Sequence, residues 1–122
     1  MDKKASGLLS GLTVLELGSV LACPAVGVFL AELGSRVIKI ENVTTDGDVT
    51  RTWKLPTEDK KSDISGYFSC VNWGKESLAL DLSRPEGSEI LKALIPETDI
   101  VLVNYKPGDA VKEGQPLLVI ES

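Results

Sequence analysis

Two short apolar runs on either side of one apolar segment constrain the fold more than any other feature of the sequence. Residues 13–17 (TVLEL) and 36–41 (RVIKIE) have the length and composition of buried strands. Between them, residues 24–33 (PAVGVFLAEL) predict a helix that opens with Pro24 in its first turn and stops at Gly34. A strand, a helix and a strand in this order predict a βαβ unit with a parallel sheet and a right-handed crossover.

A second unit of the same kind follows. Residues 77–81 (SLALD) and 99–103 (DIVLV) predict a third and a fourth strand. Ser83 and Glu86 have the spacing of a capping box, which places Ser83 at the N-cap of the helix between these strands. We expect Ile90, Leu91 and Leu94 on the core side of this helix and Pro96 at its end.

The predicted fold class is therefore α/β, with a small doubly wound sheet of four mainly parallel strands and flanking helices. Residues 116–121 (PLLVIE) predict an extra C-terminal strand without a preceding helix. A chain of 122 residues suits one domain.

Composition excludes several functions. The chain has no histidine, which rules out Ser-His-Asp and Cys-His catalysis, and its two cysteines are too few for a Cys-rich metal site. The net charge of −5 argues against nucleic acid and anionic membranes as partners. Residues 1–11 make a poor signal peptide, and we find no apolar run of membrane-spanning length. We expect a cytoplasmic protein with reduced thiols and no metal.

The turn after the first strand is a weak match to dinucleotide sites. It contains Gly18 alone where three glycines are needed, although Glu41 ends the second strand where a ribose-binding acid would lie. The carboxyl ends of the strands remain the expected location of a ligand, and the free amides at the start of the first helix could hold an anion.

The cysteines allow two interpretations. Cys23 lies at the start of the first helix, where the helix dipole favours a thiolate, but a small packing residue at a tight turn is the simpler reading. Cys70 is expected to fill core space beside Tyr67 and Phe68.

The long polar segment 42–66 has no sustained periodicity, which is typical of functional or mobile loops. Within it, Arg51 and Lys54 flank Trp53 and could clamp a phosphate, or could be ordinary surface residues. Lys75 could likewise be a solvated loop lysine or a ligand-binding one.

Five sequence blocks in order resemble the class III CoA-transferases, the family of formyl-CoA transferase and carnitine CoA-transferase. They lie at residues 12–24, 31–41, 47–51, 72–87 and 99–108. The resemblance implies a Rossmann-like half-domain over residues 1–110, followed by a divergent tail strand at 111–122.

The resemblance also implies that this half-domain holds coenzyme A along its strand ends. The positions that carry over are Val20, Leu21, Ala22, Asn42, Val71, Asn72, Gly74, Lys75, Asn104, Tyr105 and Lys106. Related sequences have an arginine at position 42 that meets the nucleotide. Asparagine lacks that charge, which Lys39 or Arg51 would have to supply.

The family's chemistry uses an aspartate that attacks the thioester of an acyl-CoA before a carboxylic acid accepts the CoA. That aspartate lies beyond the Asn-Tyr-x-Pro-Gly turn at residues 104–108, so we assign no catalytic residue here and expect CoA binding without turnover. Related chains are much longer and interlock as dimers. Because the rest of the family fold is missing here, we expect exposed strand edges and therefore self-association.

Residues 108–121 resemble a hairpin of the biotinyl and lipoyl carrier domains. An ordinary turn and strand, or a fusion that replaced the transferase sequence, would explain the same residues. Two rivals to a CoA-transferase part therefore stay open: a non-catalytic CoA- or nucleotide-binding module, and a carrier-like or scaffold chimera.

Overall fold

A computed structural model describes residues 7–105 and 118–121 of the chain, and its core is one parallel sheet. The strands are β1 (Thr13–Glu16), β2 (Arg36–Asn42), β3 (Glu76–Leu80), β4 (Ile100–Tyr105) and β5 (Leu118–Glu121). They lie in the order β3-β2-β1-β4-β5, and every neighbouring pair is parallel. The predicted α/β class is confirmed, and the C-terminal strand extends the sheet next to β4.

Three helices connect the strands: α1 (Ala22–Glu32), α2 (Gly66–Asn72) and α3 (Pro85–Leu94). Short 3-10 turns occupy Val43–Thr45, Val49–Thr52 and Ile95–Glu97. The first helix ends as predicted, because Gly34 has a φ of 104°, a left-handed conformation that glycine adopts without strain. No helix among the described residues is long and apolar enough to cross a membrane.

Both faces of the sheet are covered. On one face, α1 packs against a cluster that contains Val14, Val37 and Leu102. On the other face, the end of α3 packs against a cluster that contains Leu15 and Ile38. Burial of these branched side chains on both faces is what parallel strands require, and it explains why their sequences read as continuous apolar runs.

The predicted start of α3 is wrong. Arg84, not Ser83, is the N-cap, and it makes no side-chain capping bond. The Ser83 hydroxyl instead donates to Asp81 Oδ1 at 2.5 Å, which closes a turn before the helix. Ile90 is also misplaced, since it is 47% exposed while Leu91 and Leu94 pack on the core.

Candidate functional site

The carboxyl ends of β1, β2 and β3 surround a cleft of about 490 Å³, which we call the strand-end cleft. This is the edge at which open parallel sheets bind ligands. The cleft is lined by Leu17, Gly18, Ser19, Lys39, Ile40, Glu41, Asn42, Thr45, Gly47, Asp48, Val49, Thr52, Leu80, Leu82 and Ser83.

A second cleft of about 260 Å³ lies beside α2 and the start of β3, and we call it the α2 cleft. Its lining includes Phe68, Trp73 and Lys75. Lys39 lines both clefts, so its side chain lies between them.

Four charged side chains form a buried ion cluster under the strand-end cleft: Glu16, Lys39, Asp48 and Lys75. Lys39 Nζ lies 3.0 Å from both Glu16 Oε2 and Asp48 Oδ2, and Lys75 Nζ lies 2.7 Å from Glu16 Oε1. Each of the four side chains is at most 2% exposed. Two ammonium groups and two carboxylates cancel in formal charge, and such pairing is what permits charges to be buried.

The Lys75 ammonium is fully engaged by the protein. It donates to Pro24 O at 2.8 Å, Val71 O at 2.7 Å and Asn72 Oδ1 at 3.0 Å. These three bonds use its three N–H groups. The contact between Lys75 Nζ and Glu16 Oε1 is therefore an electrostatic attraction without a hydrogen bond. Burial lowers the pKa of Lys75, and Glu16 opposes that shift. The interpretation of Lys75 as a solvated loop lysine is therefore wrong.

Glu41 carries a second buried ion pair. Arg51 Nε and Nη2 donate to its two oxygens at 2.8 and 2.7 Å, and the hydroxyl of Ser77 and the amide of Asp48 also donate to it. Burial raises the pKa of Glu41, but these donors outweigh burial and lower the pKa to about 2. Glu41 is thus a structural anion held in one position, and neither of its oxygens is free to accept a hydrogen bond from a ribose hydroxyl.

The basic residues of the long loop are engaged as well. Arg51 lies 3.9 Å from the centre of the Phe68 ring in addition to its bonds with Glu41. Lys54 Nζ donates to the carbonyl oxygens of Asp59 and Ser62. Of the two alternatives for Arg51 and Lys54, the phosphate clamp is not formed, because protein oxygens bind both side chains. Nor does either Lys39 or Arg51 have a free cationic group to replace the missing charge at position 42.

The CoA-binding residues carried over from the family fall into two groups. Asn42 lines the strand-end cleft, where its Oδ1 caps the Val43–Thr45 turn by accepting from Thr44 N at 2.9 Å. Val20, Leu21 and Ala22 follow Ser19, which lines the same cleft, but none of these three residues lines it, and Leu21 is half exposed. Asn104, the residue before the last of β4, is exposed and lies beside Gly18.

The other group lies at or next to the α2 cleft, which Asn72, Gly74 and Lys75 line and Val71 does not. Val71 and Asn72 are buried, and the Asn72 amide donates to Phe68 O at 2.9 Å. Gly74 has a φ of 78°, which favours glycine, and Lys75 follows it. The side chain of Tyr105, the whole of Lys106 and most of the carrier-like tail segment lie outside the described residues.

The two cysteines are free and differ in environment. Cys23 is fully buried, and burial together with the nearby Glu16 carboxylate raises its pKa to about 11. Packing is therefore the correct interpretation of Cys23. The core assignment of Cys70 is wrong, because this residue is exposed on α2 and its Sγ donates to Tyr67 O at 3.1 Å.

Sequence reasoning did not identify Glu16 or Asp48 as members of the site. A signal was present, since β1 contains the buried charge of Glu16 among apolar residues, and β2 contains the buried charges of Lys39 and Glu41. The register pairs Glu16 directly with Lys39 across the two strands. The described residues contain no group of three or more histidine, cysteine, aspartate and glutamate side chains placed to hold a metal.

Comparison with known proteins identifies relatives of this chain. A succinate–glutarate CoA-transferase of Agrobacterium fabrum is 39% identical over 109 residues, which cover 87% of this chain and 27% of the relative. A formyl-CoA:oxalate CoA-transferase of Rhodopseudomonas palustris is 33% identical over 93% of this chain and 28% of its own length. This chain therefore spans little more than a quarter of each of these relatives.

A solved structure supports the same relationship. The crystal structure of a CAIB/BAIF family protein from Brucella suis superimposes with a TM-score of 0.75 at 40% identity, over 84% of this chain and 27% of that one. The family described as CoA-transferase family III matches residues 9–115. This chain belongs to CoA-transferase family III.

Proposed function

We propose that this chain is the CoA-binding N-terminal part of an enzyme that transfers CoA between an acyl-CoA and a carboxylic acid. The observation that carries the proposal is the strand-end cleft, which lies within the family match and is lined by Asn42 and by Gly18 and Ser19, the residues directly before Val20. Relatives named as CoA-transferases for succinate and glutarate, and for formyl-CoA and oxalate, support this reaction class.

The described residues favour binding over chemistry. A carboxylate nucleophile must present a free oxygen to the thioester. Among residues 7–105, the carboxylates that line the two clefts are all in ion pairs: Glu41 with Arg51, Asp48 with Lys39, and Glu76 with Arg36. We therefore propose that this polypeptide binds CoA and does not catalyse exchange by itself.

Calorimetry with CoA tests the binding, and exchange of label between an acyl-CoA and a free acid tests for turnover. We expect measurable heat of binding and no exchange. Turnover by the purified chain would show that one of the carboxylates described above as ion-paired is the nucleophile. Absence of CoA binding would favour the scaffold alternative, and equal affinity for CoA and plain nucleotides would favour a general nucleotide-binding module.

The substitution Asn42→Arg tests whether CoA binds beside residue 42. The substitution restores the charge that related sequences carry at this edge of the strand-end cleft, so CoA affinity should rise about fivefold to tenfold, as a charge-assisted contact allows. Thr57→Arg adds the same charge at an exposed position that lines neither cleft and should change affinity by less than about twofold. Equal gains from both variants would contradict a nucleotide site at Asn42.

A further inference from the structure

The loop between β1 and α1 has a backbone conformation that its sequence does not favour. Val20 has a φ of 71°, and a β-branched residue is seldom found in this left-handed region. The next residue, Leu21, is the N-cap of α1 and makes no side-chain capping bond. A conformation of this kind persists only when its surroundings hold it.

The buried side chains of Lys39 and Asp48 bind the backbone of this loop. Asp48 Oδ2 accepts from the Val20 amide at 3.2 Å and lies 3.0 Å from Lys39 Nζ. The same ammonium donates to Gly18 O at 3.0 Å and to Glu16 Oε2 at 3.0 Å. One buried ion pair thus binds both the carbonyl of Gly18, two residues before the strained residue, and the amide of Val20 itself.

Asp48 is itself rigidly held. Its Oδ1 accepts from the amide and the hydroxyl of Thr50 at 3.0 and 2.8 Å, and its own amide donates to Glu41 Oε1 at 2.8 Å. Side chains with all their bonds satisfied in this way keep one orientation. Asp48 therefore offers the Val20 amide a hydrogen-bond acceptor in a fixed position, which stabilises the strained conformation of Val20.

We propose that Lys39 and Asp48 are positioning residues that clamp the β1–α1 loop in the shape required for CoA. This rests on the proposed function, and it adds a cause for the shape of the loop at the strand-end cleft. Burial of a charged pair alone would be weak evidence for a functional role. The bonds to Gly18 and Val20 are more specific, because they act on a left-handed valine that directly follows Ser19 in the lining of the cleft.

A double-mutant cycle tests the clamp. Asp48→Asn keeps the shape of the side chain but removes its charge toward Lys39. Without the clamp, valine favours φ values below zero, so only about one-tenth of the chains would keep the binding conformation and CoA affinity would fall about tenfold. Glycine tolerates either sign of φ, so the same substitution in the Val20→Gly background should cost only about twofold.

Equal losses in the two backgrounds would overturn the proposal, because Asp48 would then act on the fold and not through Val20. Val37→Ala is the control, since it weakens the core away from both clefts and should leave CoA affinity within about twofold. If Asp48→Asn does not fold, Thr50→Val serves in the same cycle, because it removes only the hydroxyl bond to Asp48 Oδ1.

Hydrogen exchange separates this proposal from the proposed function. In the ligand-free chain, Asp48→Asn should speed exchange of the Val20 amide while the amides of β2 stay protected. Unchanged exchange at Val20 would overturn the clamp even if CoA binds. Failure of the unmodified chain to bind CoA would refute the proposed function, and the exchange result would still decide whether the clamp exists.

Discussion

Gly27 lies at the centre of α1, where adding one methyl group has two opposing effects on stability. In an exposed helix, Gly→Ala stabilises by about 1 kcal/mol, because alanine restricts the unfolded chain and favours the helix. At Gly27, however, the new Cβ would collide with Glu16 Oε1 and lie 3.0 Å from Lys75 Nζ. The question is which effect is larger.

The collision dominates because Glu16 cannot move aside. Its side chain is fully buried and held between Lys39 and Lys75. Displacing it would break a buried ion pair, which costs about 3–5 kcal/mol when one partner is lost. Subtracting the helix gain, we expect Gly27→Ala to lower the free energy of unfolding by about 2–4 kcal/mol.

Urea unfolding followed by circular dichroism measures this effect. With a urea dependence of about 2 kcal/mol/M, the middle of the range for small proteins, the midpoint should fall by about 1–2 M. Gly66→Ala is the matched control, since its new Cβ would meet only the carboxylate of Glu58 at 3.3 Å, near the surface. A Gly27→Ala protein as stable as the unmodified chain would show that the ion cluster is not rigid.

Three further predictions follow from the same geometry. Because the pKa of Glu41 is lowered to about 2, its ion pair stabilises the fold fully above pH 4.5. About 3 kcal/mol of the free energy of unfolding should be lost as the pH falls toward 2. Glu41→Gln should flatten that part of the pH–stability curve. Cys70 should react with a thiol reagent at once and Cys23 only on unfolding, so two fast thiols would contradict the burial of Cys23. Ser65→Ala should cost about 1–2 kcal/mol in thermal unfolding, because Ser65 caps α2, whereas Ser83→Ala should cost under about 0.5 kcal/mol.

The strands and α1 were predictable because their signal is local. Each buried strand is a short, mostly apolar run, and Gly34 marks the end of α1 whatever surrounds it. The start of α3 was not predictable in detail, because Ser83 can bond either to the helix or to Asp81, and the sequence does not rank these options. Cys70 was misassigned for a related reason, since a seven-residue helix does not reveal which side faces the core.

The candidate site was predictable only where the family pattern covers it. Glu16 and Lys39 are 23 positions apart, and their contact depends on the register between β1 and β2. Asp48 joins them only after the polar loop folds back over the strand ends. A buried ion cluster is therefore a tertiary property, although one charged residue in an apolar strand is a reason to look for its partner.

The hydrogen bonds of Lys75 determine which of its groups could contact CoA. Its ammonium has no N–H left for a phosphate, because three protein oxygens accept them. Residue 75 as a whole is nevertheless only half-buried while its side chain is 2% exposed, so the exposed part is backbone. A ligand in the α2 cleft would therefore meet main-chain groups of Gly74 and Lys75, and the lysine side chain would serve to fix that backbone against α1 and α2.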